Sequence, residues 1–592
     1  MNKEKFKLGI LVRLLKYVLM SWPLFIIAVV MTLLSNQLAL LGPKYSGRAI
    51  DAIALPTGVD LAEVGTNVVA MIVCYVFSAI LSYLLSLVMI NISQKVVYRM
   101  RKQLFEKLTT LPVSYFDTTA TGDIISRISY DIDTVNSSLS HDLVQVMTSI
   151  YTVVGSLIFM WNISKPMIII FVITVPVSIL FTRYRSNKVR PMFKLRSQKL
   201  GELNGYAEEM LSGCRTIQAY HQEKEISNRF DSRNDDAMNA YYKAEYYAAA
   251  MGPSVNFINN LSISLVMILG GILYMYSSSG VIKNGSLFFI SLGGVAQFVQ
   301  YSRKFAGPIN EFANILHEFQ SAFSAAERIF RIIDEPAEPE DISDALSMGS
   351  VNGDVQLSNV KFGYDKNIEI LHGISFNAKP GETVAIVGPT GAGKTTVINL
   401  LMRFYDISDG IVTVDGKNIY EVKREELRKS YTMVLQDTWL FHGTVFENIA
   451  YGKENATFDE VVRVAKAARI HNYIEHLPDG YNTILSDDGI NISKGQKQLI
   501  TIARAMLSSA PMLILDEATS NVDSRTEIKI QEALESLMKD RTCFVIAHRL
   551  STIKNADNIL VIDGGKIIEH GNHNELIKLG GFYCKLYNSQ FD

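Results

Sequence analysis

The sequence predicts a multi-domain protein in which an all-α transmembrane domain of six helices precedes an α/β domain with a phosphate-binding loop. The 592 residues are too many for one ordinary core. The long apolar stretches all lie before about residue 330, and a glycine-rich loop between an apolar strand and a helical segment lies after residue 351. We therefore expect a transmembrane domain at 1–335, a linker at 336–350 and the α/β domain at 351–592.

The composition argues against several other classes of protein. Hydrophobic residues make up 48% of the chain, charged residues 20%, and the net charge is −2, so no overall basic field would attract nucleic acid. The cysteines Cys74, Cys214, Cys543 and Cys584 are scattered without metal-ligand spacing. We expect neither a disulfide framework nor a zinc site.

Six stretches are long and apolar enough to be spans in a lipid bilayer: 22–41, 68–92, 143–163, 167–184, 255–276 and 286–305. Lysine and arginine cluster after the second and fourth stretches, so these connections are expected in the cytosol, with both termini on the same side. The first 20 residues are expected to form an amphipathic helix at the cytosolic surface. Without a cleavable leader, and with many Lys, Ile and Asn residues, the composition favours a bacterial inner membrane.

The two cytosolic connections are long and helical in composition. They are either membrane helices that project into the cytosol or, as we favour, levers that contact the C-terminal domain.

The segment GETVAIVGPTGAGKTTVINLLMRF carries the phosphate-binding loop. Thr383–Val387 is an apolar β-branched run, 388–395 matches G-x-x-x-x-G-K-[ST], and 396–404 has helical periodicity. Backbone N–H groups of such a loop wrap phosphates, Lys394 would contact the β- and γ-phosphate oxygens, and Thr395 would hold Mg²⁺. The candidate nucleotide-binding residues are Gly388, Pro389, Thr390, Gly391, Ala392, Gly393, Lys394, Thr395 and Thr396.

A second apolar strand, 512–515, ends in Asp516 and Glu517. An acid at the end of a buried parallel strand is where such enzymes hold Mg²⁺, which fits Asp516. Glu517 could polarise a water for attack on the γ-phosphate. Alone this pair means little, but after a phosphate-binding loop it indicates ATP hydrolysis.

These motifs resemble those of the ATP-binding-cassette (ABC) family over nearly the whole chain. The last 240 residues or so resemble an ABC ATPase, and the six helices before them resemble half of an ABC exporter. The resemblance implies that Tyr364 in KFGYD stacks on adenine and that Gln436 in VLQDTWLF reaches Mg²⁺ and the attacking water. It also implies that Asp523 belongs to a loop, SNVD, that crosses to a partner chain, and that His548 in FVIAHR contacts the γ-phosphate.

Each of these residues has a simpler interpretation when taken alone. Tyr364 could be an ordinary strand aromatic, Gln436 a surface polar residue and His548 a core histidine; their order after the loop favours the functional interpretation. The segment FDTTATGDIISRISYDID resembles the family's first coupling helix region, and a second such region is expected near 209–220.

The chain departs from the family at the signature loop, which reads Ile492-Ser493-Lys494-Gly495-Gln496 instead of LSGGQ. Ser493, Gly495 and Gln496 would cap the ATP held by the partner chain. Lys494 is expected to crowd that site or to restrict backbone angles that glycine permits, so that the site it caps hydrolyses slowly. Because the chain's own catalytic residues look intact, we favour a heterodimer with a sister chain that carries LSGGQ; a homodimer is the alternative if lysine is tolerated.

The expected function is ATP-driven export of an amphipathic drug, lipid or peptide, with ATP and Mg²⁺ as cofactors. An ATP-gated channel or a non-transporting regulatory protein is the alternative, whereas the fused order of the two domains disfavours an importer.

Polar residues within the last two spans either face a substrate cavity or bond neighbouring helices. They are Asn256, Asn259, Asn260, Gln297, Gln300 and Arg303.

Overall fold

A computed structural model describes residues 3–55, 58–283, 286–365, 368–436, 438–485, 492–516, 523–546 and 553–591. The chain forms two compact units. The first comprises residues 1–109 and 121–335, and the second comprises residues 110–120 and 336–592.

The first unit is helical, and long apolar helices dominate it. The helices before residue 335 are α1 (Lys3–Leu19), α2 (Trp22–Ile53), α3 (Leu61–Leu108), α4 (Val113–Thr118), α5 (Thr121–Ser126), α6 (Ile132–Ser137), α7 (Leu143–Ile163), α8 (Ile169–Ser212), α9 (Cys214–Ala219), α10 (Glu223–Ala249), α11 (Met251–Ser278) and α12 (Leu292–Ile333). Of these, α4 belongs to the second unit.

Among the described residues, five continuous helical stretches are long and apolar enough to cross a membrane: Trp22–Ile53, Leu61–Leu108, Thr121–Ile163, Pro166–Ser212 and Glu223–Ser278. They contain the first five predicted spans. The two long connections are helical, as their composition indicates, because α3 and α8 continue well past their apolar portions.

The sixth predicted span needs a correction at its start. The helix begins at Leu292 rather than at residue 286, because Ser291 caps it by accepting a hydrogen bond from the Gly294 amide at 3.0 Å. Asp51 of α2 fixes this turn by accepting from the Ser291 hydroxyl at 2.9 Å and the Gly293 amide at 2.7 Å. The more polar α12 is not one of the five stretches above.

The described residues of the second unit form an α/β domain with three sheets. Its strands are β1 (Val355–Phe362), β2 (Leu371–Ala378), β3 (Thr383–Val387), β4 (Asp409–Val414), β5 (Lys417–Asn418), β6 (Tyr431–Val434), β7 (Gly443–Thr444), β8 (Ile484–Leu485), β9 (Met512–Asp516), β10 (Thr542–Ile546), β11 (Asn558–Asp563) and β12 (Lys566–Gly571). One sheet has the order β2-β1-β4-β5, the largest has the order β12-β11-β3-β10-β9-β6, and β7 pairs with β8.

Helices flank the largest sheet of this unit. Those after residue 390 are α13 (Lys394–Leu401), α14 (Arg424–Lys429), α15 (Val445–Ala450), α16 (Phe458–Ala467), α17 (His471–Glu475), α18 (Lys494–Leu507), α19 (Ser524–Met538), α20 (His573–Leu579) and α21 (Phe582–Phe591). Strands β3, β9 and β10 are almost wholly buried and apolar, as expected for parallel strands covered on both faces.

Residues 336–350, predicted as a linker, pack within the second unit. The Arg428 guanidinium makes a double hydrogen bond to the Glu338 carboxylate, at 3.0 and 2.5 Å. The Asp341 carboxylate accepts from the Arg424 amide at 2.9 Å, and Met348 is buried in the core. These polar anchors make the segment part of the domain rather than a free connection.

Candidate functional site

The largest sheet brings the ends of four sequence-distant strands to one edge. Strands β3, β10, β9 and β6 are neighbours in this order and run parallel. Ile546 at the end of β10 is paired with Asp516 at the end of β9, and Leu515 is paired with Val434 at the end of β6. The carboxyl edge of a parallel sheet is where α/β proteins place their ligands.

The sequence-predicted residues follow these strand ends. The phosphate-binding loop follows β3, Asp516 is the last residue of β9, and the exposed Gln436 lies two residues after β6. Glu517 and His548 lie outside the described residues, immediately after β9 and two residues after β10 in the sequence. The strand order therefore explains why residues so far apart in the sequence can serve one site.

Two glycines of the loop have geometric reasons to be glycine. Gly388 has φ of +152°, and a Cβ there would lie 2.0 Å from the Ile562 carbonyl oxygen. Gly393 has φ of +101°, and its Cβ would lie 2.7 Å from Leu371 Cδ2. The loop consequently keeps its backbone close to the sheet, and its N–H groups precede the start of α13.

The Lys394 ammonium lies across the loop that precedes it. Its Nζ donates to the carbonyl oxygens of Gly388 at 2.8 Å and Pro389 at 3.0 Å. Burial lowers the pKa of Lys394, and the nearby Asp516 carboxylate opposes this shift by favouring the charged form. The loop cation and the strand-end carboxylate thus interact electrostatically.

Tyr364 lies beside the beginning of α13. Its hydroxyl is 3.3 Å from the Thr396 hydroxyl and accepts a hydrogen bond from Asn399 Nδ2 at 3.3 Å. The side chain is 48% exposed, which leaves ring surface accessible next to the loop. This position is compatible with the predicted stacking on adenine.

One partner of Tyr364 was not identified from the sequence. The ring of Tyr405 meets that of Tyr364 edge-on, with centroids 4.9 Å apart, and its hydroxyl donates to the Asp117 carboxylate at 2.5 Å. Burial, followed by the Asp117 carboxylate, raises the pKa of Tyr405, so its hydroxyl stays protonated at neutral pH. An aromatic in MRFYD, directly after the helix of the loop, was the only signal in the sequence.

The signature segment forms the start of α18. Ser493 is its N-cap: the Ser493 hydroxyl accepts from the Gln496 amide at 3.3 Å, and the Gln496 side chain accepts from the Ser493 amide at 2.9 Å. Lys494 is exposed and is the first helical residue, while Gly495 is buried. Position 494 has helical geometry that any L-residue adopts, and the effect of lysine on the capped site stays a prediction.

Asp523 is the N-cap of α19. Its carboxylate accepts a hydrogen bond from the Thr526 amide at 2.9 Å, and the Thr526 backbone and hydroxyl lower the pKa of Asp523. Residues 520–522 of the same loop lie outside the described residues. The cap holds the end of this loop in place.

The polar residues of the last two predicted spans divide between the two interpretations. Gln300 donates to the Ser46 hydroxyl at 3.0 Å, and Gln297 packs against Gly47, so both bond or contact α2. Asn256 and Asn259 instead line clefts between helices of the first unit.

The predicted coupling regions are short helices at helix turns. In the first, α4 lies between α3 and α5; in the second, α9 follows α8 and precedes α10, which packs against α8.

A strand-loop-helix phosphate site joined to a bundle of long apolar helices defines a membrane-embedded P-loop ATPase.

Comparison with known families agrees with this class. Residues 25–296 match the ABC transporter transmembrane region, and residues 371–520 match the ABC transporter family. The chain belongs to the ABC transporter family.

Known relatives cover almost the whole chain. An uncharacterised ABC transporter ATP-binding protein of Bacillus subtilis, YfiC, is 40% identical over 590 residues, covering 100% of this chain and 96% of that protein. A fatty acid ABC transporter ATP-binding/permease protein of Mycobacterium bovis is 42% identical over 529 residues, covering 89% of this chain and 82% of that protein. An ATP-dependent lipid A-core flippase of Syntrophus aciditrophicus is 33% identical over 585 residues, covering 99% of this chain and 95% of that protein.

A solved bacterial Atm1-family ABC exporter with ATP bound has a TM-score of 0.76 and 28% identity, covering 96% of this chain and 98% of that one. The chain is thus an ABC exporter half-transporter with fused membrane and ATP-binding domains. It is a multi-pass membrane protein whose ATPase is coupled to transport, and as a half-transporter it works as a dimer.

Proposed function

We propose that this half-transporter exports an amphipathic substrate, of which a lipid or fatty acid is the best supported class. Five apolar helical stretches and a cleft that combines apolar and polar side chains support this proposal. Two of the relatives above are named for fatty acid and for lipid A-core. Among the classes considered from the sequence, lipid is therefore favoured over drug or peptide.

The proposed mechanism depends on the adjacency of strands β3, β10, β9 and β6. The loop N–H groups and Lys394 bind the phosphates of ATP, and Tyr364 stacks on the adenine. Oxygen ligands from Thr395, Asp516 and Gln436 suit Mg²⁺, which would neutralise phosphate charge when bound. Glu517 orients and polarises the attacking water, and His548 contacts the γ-phosphate.

A conformational cycle follows from binding at the dimer interface. Ser493, Gly495 and Gln496 of each chain cap the ATP held by the other chain, and the loop that ends at Asp523 lies beside this contact. ATP favours the closed pair because it binds that pair more tightly than the open one. Closure then turns the transmembrane cavity outward, and hydrolysis releases the closed state.

We further propose a heterodimer, with the chain in a bacterial cell membrane and both termini in the cytosol. The support is Lys494, whose side chain lies at the exposed start of α18 where the family has glycine. A sister chain with LSGGQ would cap the intact catalytic site of this chain.

The test is ATPase activity and vesicle transport of the purified chain in lipid, alone and with a candidate sister chain, using Glu517→Gln as the blank. Activity only with the sister supports the heterodimer, and strong activity alone supports a homodimer. Uphill, ATP-dependent movement of a labelled lipid supports export. ATP-dependent current without uphill movement would contradict export and indicate a channel.

A further inference from the structure

A cleft within the first unit has one strongly apolar wall. It lies between α7, α8 and α11, and the apolar side chains of Ile150, Val153 and Val154 on α7 face Ile179 on α8 and Val255 on α11. Such a lining favours a hydrocarbon chain over a polar solute, because transferring apolar surface out of water is favourable.

The other wall of the cleft is cationic. Arg183, Ser186, Asn187 and Arg190 all line it, and their spacing places them on one face of α8. The two arginines are two helical turns apart, a rise of about 10 Å. Among the described residues that line the cleft, none is acidic.

Three other cations of α8 differ from these two arginines because they are engaged by neighbours. Arg196 pairs with Glu245 at 2.7 Å, Lys199 pairs with Glu202 at 3.0 Å, and the Lys188 ammonium lies 4.9 Å from the Tyr184 ring centre. For Arg183 and Arg190, no hydrogen bond or ion pair is formed with any described side chain. Two guanidinium groups therefore border an apolar cleft with their donors available.

The positions of the lining residues along their helices show which end of the cleft is nearer the cytosol. The arginines follow the apolar part of α8, at the end that the distribution of basic residues assigns to the cytosol. The cleft residues of α11 lie at its first turns, next to α10, and those of α7 lie around its middle. An amphiphile would thus enter with its headgroup toward the cytosolic leaflet and its chain toward the membrane centre.

We propose that this cleft binds an amphiphile with an acidic headgroup, a carboxylate or a phosphate, between Arg183 and Arg190. The inference rests on the proposed export of amphipathic substrates and specifies their charge. Guanidinium groups bind carboxylate and phosphate through paired, charge-assisted hydrogen bonds, which are stronger away from bulk water. A cationic amphiphile would meet like charge and, among the described lining residues, no acidic counter-group.

The first experiment measures binding to the detergent-purified full chain without ATP. Palmitate and hexadecyl phosphate are compared with hexadecanol, hexadecyltrimethylammonium and inorganic phosphate. We expect the two acidic amphiphiles to bind at least about tenfold more tightly than the other three, since loss of a hydrogen bond to a charged group costs about one order of magnitude in affinity. Equal binding of the neutral or cationic amphiphile would overturn the proposal.

A photoreactive palmitate analogue then maps the site in the unmodified chain. Crosslinks are expected within residues 149–154 or 251–256, the described walls opposite the arginines. Crosslinks confined to other segments would overturn the proposal, irrespective of how any variant folds.

Variants test the two arginines. Arg183→Gln with Arg190→Gln should weaken palmitate binding at least about tenfold while leaving hexadecanol binding unchanged. The matched control, Lys188→Gln with Lys194→Gln, removes the same charge from α8 outside the cleft and should bind palmitate normally. Equal losses in both pairs would show a general surface-charge effect and contradict the proposal, whereas normal binding without ATP-driven transport would instead contradict the proposed export.

Discussion

Tyr405 and Asp117, which are 288 positions apart, are joined by a hydrogen bond from the tyrosine hydroxyl to the carboxylate. Asp117 belongs to α4, in the predicted first coupling region, and Tyr405 contacts the ring of Tyr364 at the phosphate-binding helix. The second unit therefore contains a direct chain of contacts from a candidate adenine-binding residue to a candidate coupling helix.

Tyr405→Phe should weaken the coupling between ATP hydrolysis and transport. The substitution removes the hydroxyl that Asp117 accepts from but keeps the ring against Tyr364, so ATP affinity should stay within about twofold. Transport per ATP hydrolysed should fall several-fold, measured as labelled lipid moved and phosphate released in the same vesicles. Asp117→Asn, which still accepts the hydrogen bond, is the control and should retain coupling; equal defects in both variants would contradict this role.

Arg328→Gln should destabilise the first unit. Asp131 is 1% exposed, and Arg328 of α12 donates to its two oxygens at 2.8 and 2.5 Å. Removing the guanidinium leaves a buried carboxylate whose one remaining cationic partner among the described residues is Arg127, at 3.3 Å. We expect a loss of about 3 kcal/mol in the free energy of unfolding, visible as a lower thermal midpoint in lipid.

The matched control for the Arg328→Gln variant is Arg331→Gln on the same helix. Arg331 is exposed and pairs with Glu327 at 3.6 Å one turn away, so its loss should cost less than about 0.5 kcal/mol. Similar midpoints for the two variants would show that the buried pair is not important for stability.

Lys494→Gly and Lys494→Ala should raise the ATPase activity of the chain alone to a similar extent. Position 494 is the first residue of α18, where alanine fits the backbone as well as glycine does, so only the length of the side chain matters. The measurement is phosphate release by each variant in lipid. Activation by glycine but not by alanine would show that the backbone of this position must leave helical geometry during turnover.

Glu517→Gln should bind ATP normally and hydrolyse it at least about 100-fold more slowly, because the amide cannot take a proton from the attacking water. Binding is measured with a fluorescent ATP analogue and turnover by phosphate release. Glu535→Gln, on the exposed face of α19, is the control for a lost carboxylate and should be fully active. Normal turnover by Glu517→Gln would remove it from the catalytic role.

Local patterns in the sequence were sufficient for much of the fold. Strand β3, the loop at 388–395 and the helix after it are recognisable because alternation of apolar runs, glycines and helical periodicity is a local property. Helix ends were less predictable, as α12 shows: its start depends on Asp51, which is distant in the sequence and binds the cap.

The sequence by itself determined the two-domain order, the apolar helices and the phosphate-binding motif, since each depends on residue types at short spacing. Only the tertiary structure decided which parts of the chain meet: the pairing of β9, which ends in Asp516, with β6, which precedes Gln436, the contact of Asp117 with Tyr405, and the cationic wall of the cleft. The physical reason is that such contacts follow from strand order and helix packing, which hydrophobic burial of the whole chain fixes rather than any local pattern.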